Sequence, residues 1–181
     1  MPAGKRTGGG SKESIDDGVV HLRPSEDRDL EAIETGIHDF DVVRWLGRPT
    51  GSAAEVLELN RAREADGSPT FSICGADDAC VGLAWVNRST RDRAIGYVGY
   101  WLLPAARGRG LATRAVRLLA TWAFRELELS SLRVLTEPAN EPSQRVAERA
   151  GFHRAGLLEG FGEVDGRQVD QILFLKAPDP E

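Results

Sequence analysis

The hydrophobic period changes at Pro104, and no other feature of the chain constrains the fold as much. Residues 94–103 (Ala-Ile-Gly-Tyr-Val-Gly-Tyr-Trp-Leu-Leu) are an apolar run of strand composition that Pro104 stops. Beyond it, Leu111, Ala115, Leu118, Leu119, Trp122 and Ala123 recur at steps of three and four, which predicts an amphipathic helix over about 110–126. Between strand and helix stands Arg107-Gly108-Arg109-Gly110. Glycines let main-chain N–H groups converge on an anion, and a helix N-terminus adds partial positive charge. The segment has the parts of a diphosphate cradle; a plain strand–helix turn with two glycines would look the same.

The remaining pattern is that of one mixed α/β domain over residues 18–176. Residues 19–23 predict a short strand ended by Pro24, and Ser25 a cap for a helix carrying Leu30, Ile33 and Ile37. A second helix is expected over 52–65, closed by Asp66-Gly-Ser-Pro69. Strands at 70–74 and 79–87 flank the turn at 75–78, and a short strand follows at 132–136. A helix begins after Asn140 and ends at Gly151; strands near 152–159 and 168–175 flank Asp165-Gly166. Residues 1–17, rich in Gly, Ser and Lys, read as a disordered tail, and 177–181 as a C-terminal tail.

Charge and cysteine content narrow the function. A net charge of −5 argues against a general nucleic-acid binder. Yet residues 88–117 hold seven arginines and a single acid, Asp92, a net of +6. A basic island in an acidic chain suggests a local anionic ligand; a solvated arginine-rich face is the alternative. Cys74 and Cys80 match no zinc spacing and read as small buried hydrophobes, so no metal is expected. No apolar run approaches the roughly 18–20 residues that span a bilayer, and the N-terminal stretch lacks an apolar signal region, so no membrane association and a cytoplasmic location are expected.

Two motifs then point the same way. Arg107-Gly-Arg-Gly110-Leu-Ala112 has the Arg/Gln-x-x-Gly-x-Gly/Ala form of the GNAT acetyltransferase superfamily. Asn140-Glu-Pro-Ser143-Gln-Arg-Val-Ala-Glu148-Arg-Ala-Gly151-Phe152 resembles the Asn-x-x-Ser-x-x-x-x-Glu-x-x-Gly-Phe signature of its Rim-type branch, which includes acetylases of ribosomal-protein N-termini. The similarity covers about residues 19–176. It implies a GNAT fold: a twisted, mixed, mostly antiparallel sheet, splayed where acetyl-coenzyme A enters, with helices on both faces. It also implies direct N-acetylation of a primary amine, on a protein N-terminus or a small molecule such as an antibiotic or polyamine, without a metal or a covalent enzyme intermediate.

The resemblance assigns roles as well. Trp101, Leu102 and Leu103 would pair their main chain with the pantetheine arm, and an N–H there would polarise the thioester carbonyl. Arg107, Gly108, Arg109, Gly110, Leu111, Ala112 and Thr113 would hold the diphosphate. Asn140 would orient the pantetheine or a water, and Ser143 would protonate the leaving thiolate. Asn140 capping a helix, with Ser143 satisfying its first turn, is the structural alternative. Some Rim-type enzymes place a carboxylate just before the last turn; the equivalent spot here falls near Gly162, flanked by Glu159 and Glu163, which makes Glu163 the candidate base, directly or through water, with a solvated turn residue as the alternative. His38, Asp39, Asp41 and Trp45 fall in the segment that lines the acceptor site in this family; a helix-end loop with Trp45 in a core is the other reading. Oligomeric state stays open, although members are often homodimers.

Two rival readings remain at this stage. A non-catalytic acyl-coenzyme A sensor or interaction module would keep the cradle without turnover. A nucleotide-cofactor oxidoreductase would need a third glycine where Thr113 stands.

Overall fold

The structure, a computed structural model, describes residues 15–48 and 51–179. Its elements in chain order are β1 (Ile15–Asp16), β2 (His21–Pro24), α1 (Leu30–Ile37), α2 (Phe40–Leu46), α3 (Ala53–Ala65), β3 (Thr70–Cys74), β4 (Cys80–Arg88), β5 (Ile95–Leu102), α4 (Leu111–Leu127), β6 (Ser131–Thr136), α5 (Glu141–Arg149), β7 (His153–Val164) and β8 (Arg167–Lys176). The described strands form one sheet in the order β1-β2-β3-β4-β5-β6-β8-β7. Every pairing is antiparallel except β5 with β6, the crossover through α4.

Alternation along the strands sends apolar side chains to both faces, and helices cover both. On one face α4 packs Ala115, Val116, Leu119, Ala120 and Ala123 against Phe71, Ile73, Val86 and Leu132. Burial of a side chain such as Leu119 contributes about 1.5–3 kcal/mol. Phe152 and Phe174 extend this core beneath α5. On the other face α1, α2 and α3 set Ile33, Ile37, Val42 and Leu57 around Leu83 and Trp101. Trp122 and Trp101 thus serve different layers: Trp122 meets Phe71 edge-on at 4.9 Å between centroids, whereas Trp101 lies against α1. A β-carbon on Gly36 would stand 2.2 Å from the Trp101 ring, so this helix must carry glycine there.

Several expectations shift in detail. Ile15 and Asp16 pair with Leu22 and His21 as β1, so the last part of the segment expected to be a disordered tail belongs to the sheet. Residues 1–14 and 180–181 of the two expected tails lie outside the described residues. Ser25 is not a helix cap; its Oγ pairs with Ser72 Oγ at 3.0 Å, and Glu26 with Asp29 forms the capping box. Residues 40–46 form a helix rather than a helix-end loop. β7 runs to Val164, longer than the strand expected near 152–159, because it pairs with β8 up to the Asp165-Gly166 turn.

One buried polar network ties β2 to the start of α1. Arg23 donates to both oxygens of Asp29 at 2.7 and 2.8 Å, and Ser72 Oγ donates to Asp29 Oδ2 at 2.8 Å. Burial works to raise the Asp29 carboxyl, yet the bonds from Arg23, the Glu26 N–H and Ser72 hold it below the ordinary range. No helix among the described residues is long and apolar enough to cross a membrane.

Candidate active site

The parallel β5–β6 ladder has only three rungs: Ile95–Ser131, Gly96–Leu132 and Tyr97–Arg133. Beyond Tyr97, β5 stays paired with β4 as far as Leu102, and β6 stays paired with β8 as far as Thr136. The two strands therefore diverge, and a cavity of about 530 Å³ occupies the wedge. Val98 to Leu102 form one wall, Val134 to Glu137 the other, and α2 and the start of α5 complete it.

Ladder geometry shows which main-chain groups face this wedge. The Leu103 N–H donates to Val81 O at 2.8 Å, so that residue turns its polar groups toward β4. In an antiparallel pair the next residue turns its own the other way. Leu102 does so: its carbonyl accepts from Arg107 Nε at 3.0 Å on the cleft side. Of the three residues from Trp101 to Leu103, Leu102 is the one whose N–H points away from β4. Leu103 is spent on the sheet.

The glycine loop closes one end of the wedge. Gly108 and Gly110 have φ of +73° and +78°, and Gly110 N-caps the 17-residue α4 in the left-handed conformation. A β-carbon on either would meet nothing within 4 Å. The loop needs glycine for its backbone, and that backbone borders open space where the unpaired N–H groups of the first turn of α4 gather. A diphosphate fits such a cradle. Of the residues assigned from sequence, Arg107, Gly108 and Ala112 line the cavity with Trp101, Leu102, Asn140 and Ser143; Leu103, Arg109, Gly110, Leu111 and Thr113 do not.

A pair of hydroxyls spans the wedge from β5 to α5. Tyr100 OH donates to Ser143 Oγ at 3.1 Å, and both residues line the cavity. Burial pushes the Tyr100 hydroxyl up to about 12, against the pull of the Ser143 bond. Asn140 caps α5, its Oδ1 accepting the Ser143 N–H at 3.2 Å. The capping alternative thus describes Asn140, while the Ser143 hydroxyl is held by Tyr100 instead. Sequence reading missed Tyr100 because its partner lies 43 residues away.

Helix α2 borders the cavity through Asp41, Val42, Arg44, Trp45 and Leu46, and is pinned at both ends. Asp39, its N-cap, and Asp41 both bind Arg107; the Asp41 contact is 2.8 Å. Burial works to raise the Asp39 carboxyl, but Arg107 and the Val42 N–H outweigh it and hold it low. At the other end the Arg48 N–H donates to Asp165 Oδ1 at 3.0 Å, on the tip of the β7–β8 hairpin. Arg107, expected on the diphosphate, here bridges the cofactor loop to α2. Trp45 and Asp41 reach the cavity as expected, whereas His38 is exposed and bonds Glu34. Glu163 is exposed on β7 opposite Gln168 and is not brought into the cavity lining. Glu137 and Gln171, which sequence reading did not single out, are in that lining.

The basic island does not converge on one ligand. Arg88 binds Leu127 O and Arg93 binds Asp66 O, whereas Arg114 pairs with Asp17 at 2.8 Å and Arg117 binds Arg149 O. A further cluster, His21, Cys74 and Asp78, has ligand-type atoms within 4.8 Å of one another. Asp78 is already held by His21, Arg23 and Arg28, and burial pushes the Cys74 thiol up to about 12. Two guanidinium groups beside a protonated thiol make this a poor seat for a metal cation.

Comparison with known proteins identifies the architecture. The acetyltransferase (GNAT) domain family matches residues 20–153. The chain is 34% identical over 175 residues to Probable N-acetyltransferase YjcK of Bacillus subtilis (strain 168), covering 90% of this chain and 97% of YjcK. It is 26% identical to spermidine N(1)-acetyltransferase of Escherichia coli (strain K12), over 84% of this chain and 83% of that enzyme. The solved structure of Mycobacterium smegmatis RimJ in complex with CoA-disulfide matches with a TM-score of 0.77 at 27% identity, covering 88% of this chain and 82% of RimJ. The chain belongs to the GNAT acetyltransferase family and is an N-acetyltransferase.

Proposed function

We propose that the chain transfers the acetyl group of acetyl-coenzyme A directly to a primary amine, carried by a protein N-terminus or a small molecule. The observation that carries this reading is the wedge itself: a glycine cradle at one end, an outward-facing Leu102 N–H along β5, and the Tyr100–Ser143 hydroxyl pair that spans β5 and α5. RimJ, solved with a CoA-disulfide, shares the fold at 27% identity, which supports coenzyme A as the ligand of this wedge.

Acetyl-coenzyme A supplies an activated acyl thioester. Gly108 and Gly110, with the first turn of α4, hold the diphosphate and leave the pantetheine arm to run along β5. The Leu102 N–H donates to the thioester oxygen, where negative charge grows as the amine attacks. The carbon–nitrogen bond forms as the carbon–sulfur bond breaks; Ser143 Oγ, held by Tyr100, gives a proton to the departing thiolate, and the proton shed by the acylated nitrogen restores the serine through solvent. An α-amine, with a pKa near 8, is partly neutral at physiological pH and needs little help; a lysine amine near 10.4 needs more.

Thiol release from acetyl-coenzyme A with a panel of amines and peptides, and mass spectrometry of the products, tests this. An acetylated amine and stoichiometric free thiol are expected. Binding of coenzyme A without turnover of any amine would favour the acyl-coenzyme A sensor, and no binding at all would falsify the wedge as the cosubstrate site.

A further inference from the structure

Two acceptor atoms in the cavity wall take no hydrogen bond from the described residues. Glu137 Oε1 and Gln171 Oε1 are both buried and neither takes a hydrogen bond. The Glu137 side chain is 13% exposed, and its Oε1 is ion-paired with Arg167 at 3.7 Å, too far for a hydrogen bond. These atoms belong to one place. Thr136 pairs with Ile172 at the end of the β6–β8 ladder, so one step on sets Glu137 opposite Gln171. Residues directly opposite in an antiparallel pair share a face, and both line the wedge with Ser143 and Asn140.

A fold seldom leaves a buried polar atom without a hydrogen bond, and a carboxylate oxygen and an amide oxygen in one cavity lining call for a ligand that donates. The cofactor cradle cannot answer this, because a diphosphate and Glu137 repel each other. A primary ammonium can: it presents several N–H donors and a positive charge to match the carboxylate.

We infer that Glu137 and Gln171 seat the acceptor's primary ammonium in the wedge. This rests on the acetyltransfer reading and deepens it by naming the residues that receive the amine, on the β6–β8 side of the wedge. The seat favours an unhindered, cationic R–NH3+ group over a neutral amide or hydroxyl. Free polyamines and protein N-termini both carry that group.

The test uses the full-length protein with two probes, spermidine and a short peptide with a free N-terminal α-amine. At saturating acetyl-coenzyme A, Glu137→Gln is expected to raise KM for the active probe by about tenfold to a hundredfold, the range for losing a charged hydrogen bond. Gln171→Leu is expected to raise it several-fold. Acetyl-coenzyme A affinity by calorimetry should stay within twofold in both variants. The same two probes titrated into the coenzyme A-bound protein read the seat without turnover, so a catalytically silent wild type overturns the acetyltransfer reading while the seat is still judged on binding. Unchanged probe affinity in both variants overturns the inference. So does a matching loss of acetyl-coenzyme A affinity, which would assign these residues to the cosubstrate.

Discussion

Tyr100 donates its buried hydroxyl to Ser143 across the wedge, β5 to α5, at 3.1 Å. Because Ser143 Oγ accepts that bond, its own proton is free to point into the cavity. The pair should act as a unit. Ser143→Ala and Tyr100→Phe are each expected to lower kcat about tenfold to a hundredfold with coenzyme A affinity within twofold. The double variant should lose little more than Ser143→Ala alone, since Tyr100 acts through that serine. Fully multiplicative losses in steady-state assays would refute the coupling.

Gly108 and Gly110 test the cradle separately from the fold. Each holds a left-handed backbone with open space beyond it, so alanine costs about 1–2 kcal/mol through conformation alone. Gly166, φ +75° in the β7–β8 turn and equally open, provides the control. All three alanine variants should lose comparable thermal stability. Only those in the loop should weaken coenzyme A binding, by tenfold or more in calorimetry. Equal binding by all three would dissociate the loop from the cosubstrate.

Gly36 is required for packing. Alanine there places a carbon within 2.2 Å of the Trp101 ring, and overpacking of this kind costs about 1–3 kcal/mol. Gly156→Ala on β7, where nothing lies within 4 Å, should stay within about 0.5 kcal/mol of wild type. Urea denaturation compares the two, and a neutral Gly36→Ala would contradict the contact.

Asp29 makes stability depend on acid. Its carboxyl is held below the ordinary value of 3.8 in the fold, so the unfolded chain takes up the proton first. The stabilisation is complete above the unfolded value and is lost as pH falls through the folded one. Asp29→Asn should cost about 3 kcal/mol at pH 7, by leaving the buried Arg23 underpaired. That deficit should shrink as the pH is lowered below 4. A gap between variant and wild type that stays constant down to pH 2 would place the linkage elsewhere.

The strand–loop–helix from Ile95 to Leu127 could be read in advance because its signals are local: a period that switches at Pro104, and glycines where left-handed turns occur. The cap at Asn140 was legible for the same reason. Helix α2 was not, since seven residues with little periodicity are fixed by partners 66 and 117 positions away, Asp41 to Arg107 and Arg48 to Asp165. Glu137 sits just past a strand, before Pro138, where sequence offers no reason to expect a buried carboxylate. Its importance comes from Gln171, a neighbour only across the β6–β8 ladder. Likewise the basic island looked like one patch along the chain, and the fold scatters its arginines over separate helix ends and loops.

The three rungs between β5 and β6 make the sheet mechanically two plates joined along a short weld. A molecule lying along the free edge of β5 would supply the missing bonds and brace one plate against the other. Cosubstrate binding should therefore stiffen the joint between the plates more than either plate itself, and amide exchange should slow first at Val98, Tyr100 and Leu102, whose N–H groups turn away from β4.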